Sequence, residues 1–410
     1  MRYVIIGNSA AAIGAVEGIR TVDKEGDITI VSNESHHTYS RPLISYLLCG
    51  QTTREKMKYR PDSFYEDNGC TVFFGTECEK IDEKEQTVTL SDGRKLTYDR
   101  LLIATGSSPA VPPIDGLNKV QNKFTFMSLS DAEALEQALE SNSHVLILGA
   151  GLIGLKCAEG IAGLAGKITV VDLADRILPN VLDEDAAAIV QRQMEHHGIN
   201  FVLADGASRF EEKKAFLKSG REIEFDVLVV AVGVRPNTSL IYNLGADAKR
   251  GIVTDNHQQT EFTNIFAAGD CTVSRDLTTG QNKILALLPN AYMQGHCAGV
   301  NMALGQAVYD NAIPINAAGF LGLHLVTAGS YDGMVYVEKS ENAYKKLVVK
   351  DGILKGFIII GDVTRSGIYT SLIRNQTPLD TIDFDLIRRS PGLMAFSRQK
   401  RDVILGGAKS

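Results

Sequence analysis

The sequence predicts an α/β chain, with two three-layer domains built on parallel sheets and a small α+β domain at the carboxyl end. Three observations predict it. An apolar strand, a turn of small residues and a helix occur twice, at residues 3–20 (YVIIGNSAAAIGAVEGIR) and at residues 145–162 (VLILGAGLIGLKCAEGIA). Two further runs, residues 100–109 (RLLIATGSSP) and 225–237 (FDVLVVAVGVRPN), are continuously apolar over their strand portions, as expected of strands buried on both faces of a parallel sheet. Beyond Ile313 the pattern changes to short strands at close spacing, followed by helical segments. A length of 410 residues also suits two or three domains better than one core.

In the duplication Gly7 matches Gly149, Ser9 matches Gly151, Ala12 matches Gly154, and Glu17-Gly18-Ile19 matches Glu159-Gly160-Ile161. Each helix is followed by a second apolar strand, ITIV at 28–31 and ITVV at 168–171, so each copy is a βαβ unit. Small residues are demanded there for three reasons: a sharp strand-to-helix turn, close approach of the backbone to a pyrophosphate, and tight packing of helix on strand. The phosphates then face unpaired N–H groups at the positive end of the helix. Both domains are therefore expected to be Rossmann-like dinucleotide sites. The second copy has the full GxGxxG pattern, followed by Asp172 at the end of the next strand. A carboxylate there accepts ribose hydroxyls and repels a 2′-phosphate, which favours NAD over NADP. The first copy departs from the pattern at Ser9 and Ala12, and Glu34, just beyond its second strand, is in reach of a ribose.

The runs at 100–109 and 225–237 each close one nucleotide-binding domain and lead across to the next. Joints rich in Gly and Pro, with Pro109, Pro112 and Pro113 in one and Gly233 and Pro236 in the other, mark the crossings. One domain is thus expected at 115–239, inserted into another made of 1–114 and 240–312. A third, at 313–410, carries strands near 323–328, 333–338, 346–349 and 354–360.

Composition excludes several classes. A hydrophobic share of 44% and a charged share of 22% are those of a globular chain, and no apolar run approaches the roughly 20 residues of a membrane helix. A net charge of -7 argues against a general nucleic-acid binder. With no signal-peptide pattern at the amino end, a cytoplasmic location is expected. The six cysteines (Cys49, Cys70, Cys78, Cys157, Cys271, Cys297) include no close pair, and His36, His37, His196, His197, His296 and His324 have no ligand spacing with Cys or Asp. No metal site is expected.

Four motifs in order, LLIATGSSP (101–109), GAGLIG (149–154), VAVGVRPN (230–237) and TNIFAAGD (263–270), resemble the pyridine-nucleotide-linked flavoprotein reductases with two dinucleotide-binding domains. The resemblance covers nearly the whole chain and implies FAD in the discontinuous domain and NAD in the inserted one. It implies that Gly7, Asn8, Ser9, Ala10, Ala11, Glu34, Cys78, Ala104, Thr105 and Gly106 contact FAD, with Arg41 and Pro42 on its adenine and pyrophosphate side. Asp270 would accept a ribityl hydroxyl, with Gly269 allowing close approach. Asn290 and Ala291, with Pro289 and Gln294, belong to a segment whose helix start faces the isoalloxazine. Gly149, Gly151, Leu152, Ile153, Gly154, Asp172, Val232 and Gly233 would hold NAD. Lys156 stands where many relatives carry a glutamate; it either approaches the nicotinamide or is a solvated helix residue.

The segment at 39–50 (YSRPLISYLLCG) resembles the Arg-Pro segment of rubredoxin, putidaredoxin and related iron–sulfur-protein reductases, and of the nitrite reductase large subunit. Disulfide reductases carry a C-x4-C pair in this region, and coenzyme A disulfide reductases, NADH peroxidases and oxidases a single cysteine. Cys49 lies several residues past that position. With no protein thiol or metal to relay electrons, the flavin itself takes the hydride and passes electrons on singly. The resemblance therefore implies an NADH-dependent reductase of a small iron–sulfur protein, rubredoxin or ferredoxin-like, or the same enzyme running in reverse to make NADH. The alternative is a thiol, disulfide or peroxide reductase using Cys49. The protein is expected as a monomer or homodimer. A basic stretch with Arg388, Arg389, Arg398, Lys400 and Arg401 around Leu393, Met394 and Phe396 is a candidate docking surface for an acidic carrier.

Overall fold

The computed structural model describes residues 1–397, which fall into two compact units. The first comprises Met1–Asp175, Gly198–Arg275 and Asn282–Ala312; the second comprises Arg176–His197, Asp276–Gln281 and the chain from Ile313 onward.

The first unit contains two five-stranded parallel sheets. One runs in the order Ile265–Ala267, Arg100–Ile103, Arg2–Ile6, Asp27–Val31, Cys70–Phe73. The other runs Ile199–Val202, Lys167–Val171, His144–Leu148, Val227–Val230, Lys123–Phe124. The leading strand of each sequence repeat lies at the centre of its sheet, flanked by the second strand of the repeat on one side. On the other side lies the apolar run near 100 or 228, so both sheets are Rossmann-like. Strand Arg2–Ile6 shows why its residues are apolar without alternation: Tyr3 and Ile5 point into one core, Val4 and Ile6 into the other.

Between the sheets the chain crosses at Ser107–Pro109 and returns at Val234–Pro236, and these segments pair antiparallel. Each half also carries a three-stranded antiparallel meander, Cys78–Asp82 with Thr87–Leu90 and Lys95–Thr97, and Ala207–Glu211 with Lys214–Leu217 and Glu222–Glu224. Neither was legible as a sheet, because the strands are only three to five residues long and their apolar residues are few. Helix Ala10–Val22 packs on helix Leu288–Met302 at backbone contact. A Cβ on Gly14 or Gly18 would overlap carbonyls of the second helix, and one on Gly295 or Gly299 those of Ala11 or Ala15.

The second unit is a five-stranded antiparallel sheet in the order Ile315–Phe320, Leu323–Gly329, Ile353–Ile360, Tyr344–Lys350, Met334–Lys339. Four of these strands match the runs read from the sequence; Ile315–Phe320 was not foreseen, its centre being Ala317-Ala318-Gly319. Helix Ser366–Arg374 covers the sheet through Tyr369, Leu372 and Ile373. Helix Glu184–His196 belongs to the same unit. Its N-cap Asp183 accepts the Ala186 N–H at 3.1 Å, the Tyr344 hydroxyl at 2.8 Å and the Lys346 ammonium at 2.9 Å.

The described part of the basic stretch is not one open surface. Phe396 is buried, Leu393 packs against the same core, and Arg388 pairs with Asp385 and lies over the Tyr336 ring. Met394, at 75% exposure, is the only one of the three apolar residues left open. Arg398, Lys400 and Arg401 lie outside the described residues.

Candidate cofactor site

The leading strand ends at Gly7, whose φ of +116° suits glycine and whose missing Cβ lets the Ala104 carbonyl close in. Helix Ala10–Val22 then begins without a side-chain cap from Ser9, so the first amides of the helix face outward from the turn. This turn borders a cavity of about 510 Å³, within the size range of small-molecule sites. The cavity is further lined by the end of the second strand and the segment after it, the crossing at 104–109, the turn 268–270, and the start of helix Leu288–Met302.

Of the residues expected around the flavin, Gly7, Asn8, Ser9, Ala10, Ala11, Glu34, Arg41, Cys78, Ala104, Thr105, Gly106, Gly269, Asp270 and Ala291 line this one cavity. Pro42 and Asn290 do not. Pro42 lies in the short helix Arg41–Leu43, and Asn290 is fully buried, its amide oxygen accepting the Tyr309 hydroxyl at 2.9 Å.

Arg41 organises the wall of the cavity. Its guanidinium donates to Glu34 at 2.8 Å, to the Tyr39 hydroxyl at 3.2 Å, and at 3.4 Å each to Ser9 Oγ and the Met127 carbonyl. Glu34 is thus held by a cation in the cavity wall. The Tyr39 hydroxyl also accepts the Leu129 N–H at 2.9 Å, and burial pushes its pKa up to about 12, so it stays protonated. Asn8 is fixed from behind, its amide oxygen accepting the Tyr65 hydroxyl at 2.8 Å. Across the cavity, burial pushes the Asp270 carboxyl above the usual carboxylate range, against the opposing pull of Ser107, which donates at 3.4 Å, and of Arg41. Thr105 is locked to Asn237 by a reciprocal pair, hydroxyl to carbonyl at 2.7 Å and amide to carbonyl at 2.9 Å. The sequence singled out neither Tyr39, Tyr65 nor Asn237 for these roles. Tyr39, two residues before Arg41 in the same motif, was the nearest signal.

These residues fit a dinucleotide with a long polar chain. They offer backbone amides beside a turn that a Cβ would fill, a guanidinium near the turn, and a half-buried carboxyl with hydrogen-bonding capacity left to satisfy.

The second repeat builds the same local geometry. Gly149 has φ +107°, and a Cβ there would overlap the Ala231 carbonyl and lie 3.2 Å from the Val232 amide, so Val232 borders the turn. Gly151 is the uncapped start of helix Leu152–Ile161, and Gly154 lies close against the Gly149 carbonyl. Asp172 accepts the Ala150 N–H at 2.6 Å and the Ala174 N–H at 2.8 Å, which ties the strand end to the turn. Lys156 is not solvated: at 16% exposure it pairs with Glu159 and lies 4.2 Å from the Tyr46 ring centroid.

Cys78 is the one cysteine in the cavity lining, and it is buried. Burial pushes Cys70, Cys78, Cys271 and Cys297 up to about 11, and Cys157 further still. Cys49 lies outside the cavity lining, its sulfur 3.5 Å from the Tyr46 carbonyl. Among the described residues no group of three ligating side chains could hold a metal, and no helix is long and apolar enough to cross a membrane.

The family model for pyridine nucleotide-disulphide oxidoreductases matches residues 1–295, and that for the rubredoxin NAD+ reductase C-terminal domain matches residues 322–377. Among curated relatives, the epsilon subunit of NADH-dependent phenylglyoxylate dehydrogenase from Aromatoleum evansii is 31% identical, covering 92% of this chain and 92% of that one. Rubredoxin-NAD(+) reductase from Pseudomonas putida is 29% identical over 72% of this chain and 78% of its own length. The chain spans 48% of nitrite reductase [NAD(P)H] from Bacillus subtilis, to which it is 28% identical over 92% of itself. Among solved structures, the covalent putidaredoxin reductase–putidaredoxin complex contains a chain that superposes with a TM-score of 0.87. The overlap covers 100% of this chain and 99% of that one, at 23% identity.

Proposed function

Since this chain belongs to the pyridine nucleotide-disulphide oxidoreductase family and is an oxidoreductase of that type, we propose that it moves reducing equivalents from NADH through bound FAD to a small iron–sulfur protein. The observation that carries this reading is the single cavity joining the first small-residue turn, Arg41 and Asp270, whose one lining cysteine, Cys78, is buried and unpaired with another thiol. The rubredoxin-reductase match to residues 322–377 and relatives whose names specify rubredoxin support the class of acceptor.

When bound, the flavin supplies the exchange between a two-electron hydride donor and a one-electron acceptor. The chain's own groups do the holding. The amides at the start of helix Ala10–Val22 and the Arg41 guanidinium neutralise the pyrophosphate. Asp270, half-buried in the cavity wall with Ser107 as its one side-chain donor among the described residues, accepts a ribityl hydroxyl, and Glu34 stands beside the adenosine ribose. In the inserted domain the turn at 149–154 holds the NADH pyrophosphate, and Asp172 receives its ribose hydroxyls.

The test is steady-state oxidation of NADH by the purified flavin-loaded protein, with ferricyanide and then with reduced-minus-oxidised rubredoxin or ferredoxin absorbance as the readout. Multiple turnovers with both acceptors are expected. Turnover with ferricyanide but with no iron–sulfur protein would leave the oxidoreductase and remove the proposed partner.

A further inference from the structure

We infer that Gln294 is a positioning residue for the flavin, acting through Asp270. The inference rests on the FAD reading above and concerns a side chain that does not line the cavity. Gln294 lies on helix Leu288–Met302, one turn beyond Ala291, and is 2% exposed. Its resemblance-based place is on a segment facing the isoalloxazine, but its amide is turned to other partners. The oxygen accepts the Gly269 N–H at 2.9 Å, and the nitrogen donates to Thr272 Oγ at 3.1 Å and Ser274 Oγ at 2.5 Å.

Those partners form a closed ring around the turn that presents Asp270. The Gly269 carbonyl accepts both the Thr272 N–H at 2.9 Å and the Thr272 hydroxyl at 2.7 Å. The Thr272 hydroxyl has thus spent its proton on Gly269 and can only accept from Gln294, which fixes the orientation of the amide. The residue before Asp270 is therefore gripped at its N–H by Gln294 and at its carbonyl by Thr272, and the grips are joined to each other. Gly269 has φ +87°, and an added Cβ would lie 3.1 Å from Cβ of Ala11, in the helix of the first turn. A small rotation of this glycine would swing the Asp270 carboxyl relative to the opposite wall. Among the described residues Gln294 is the one side chain on the Gly269 N–H, so this bond holds the amide side of the glycine while Thr272 holds its carbonyl. Fully satisfied buried networks of this kind set geometry more than they add stability.

The test is a double-mutant cycle on FAD release from the holoprotein, followed by flavin fluorescence on dilution, with visible circular dichroism of the bound flavin as a second readout. Gln294→Met matches the volume and removes both hydrogen-bonding ends. It is expected to release FAD about tenfold faster, which is ~1.4 kcal/mol, and to change the flavin dichroism. Gln294→Glu keeps the acceptor for the Gly269 N–H but sets an oxygen against the Thr272 hydroxyl, which has no proton left to give, so it is expected to recover only part of the slow release. In the Asp270→Ala background, Gln294→Met is expected to add little, because its route to the cofactor is already cut. Additive effects of the two substitutions, or an unaltered release rate in Gln294→Met, would overturn the inference. A wild-type protein without flavin absorbance would instead sink the FAD reading itself, so the failures are distinguishable.

Discussion

Asp172 should make the protein discriminate against NADPH because its position leaves the carboxylate no escape. Both of its oxygens are engaged by backbone amides, of Ala150 at 2.6 Å and Ala174 at 2.8 Å, so the side chain cannot swing away to admit a 2′-phosphate. A phosphate of about −1.5 charge facing it at ~5 Å, with an effective dielectric of ~40 for a half-open site, is repelled by roughly 2.5 kcal/mol. At about 1.4 kcal/mol per decade that is roughly 60-fold in kcat/KM. Stopped-flow reduction of the flavin by each nucleotide measures it. NADH is expected to win by at least tenfold, and Asp172→Asn, which removes the charge and keeps one acceptor, should shrink the ratio mainly by improving NADPH. Equal efficiencies in the wild type, or an unchanged ratio in Asp172→Asn, would refute the electrostatic argument.

Asp183 ties helix Glu184–His196 to the sheet of the second unit. Burial opposes its ionisation, but Lys346, the Ala186 N–H and Tyr344 together hold its carboxyl below the usual range. A depressed folded value means this stability is present above the unfolded value of about 4 and is lost as pH falls through the folded one. Asp183→Ala should cost roughly 2 kcal/mol in urea unfolding at neutral pH and flatten the acid limb of the stability profile; an unaltered acid limb would count against it. Cys49→Ser should keep full NADH oxidation with one-electron acceptors, and a loss of activity would revive the thiol reading. Reversing Arg389 and Arg398 to Glu should slow reduction of an acidic iron–sulfur protein and weaken its salt dependence, with ferricyanide turnover unchanged. An unaffected partner rate would move the docking surface elsewhere.

The Rossmann-like sheets were readable because three independent demands converge on the same positions: Gly7 and Gly149 at the turn, buried strands without alternation, and close helix packing. The inner bonds of the site were not. Arg41 announced itself through a motif. Its reach to Met127 and the Tyr39 bond to Leu129 join residues about ninety positions apart, and no local pattern encodes such pairs. Gln294 is similar: on a helix it reads as one polar residue among small ones, and only the fold brings Gly269 to it. The described part of the basic stretch is not a uniform patch, for a related reason. Phe396 and Leu393 are apolar enough to be drawn into the core of the second unit, which charge counting along the sequence does not register.

The account stands on the flavin being the sole redox centre, and anaerobic titration with NADH tests that most directly. Bleaching of the flavin band should be complete at one NADH per FAD, because a flavin takes two electrons and no cysteine is placed to take more. A requirement for two NADH per FAD would reveal a second two-electron centre in the chain and contradict the account.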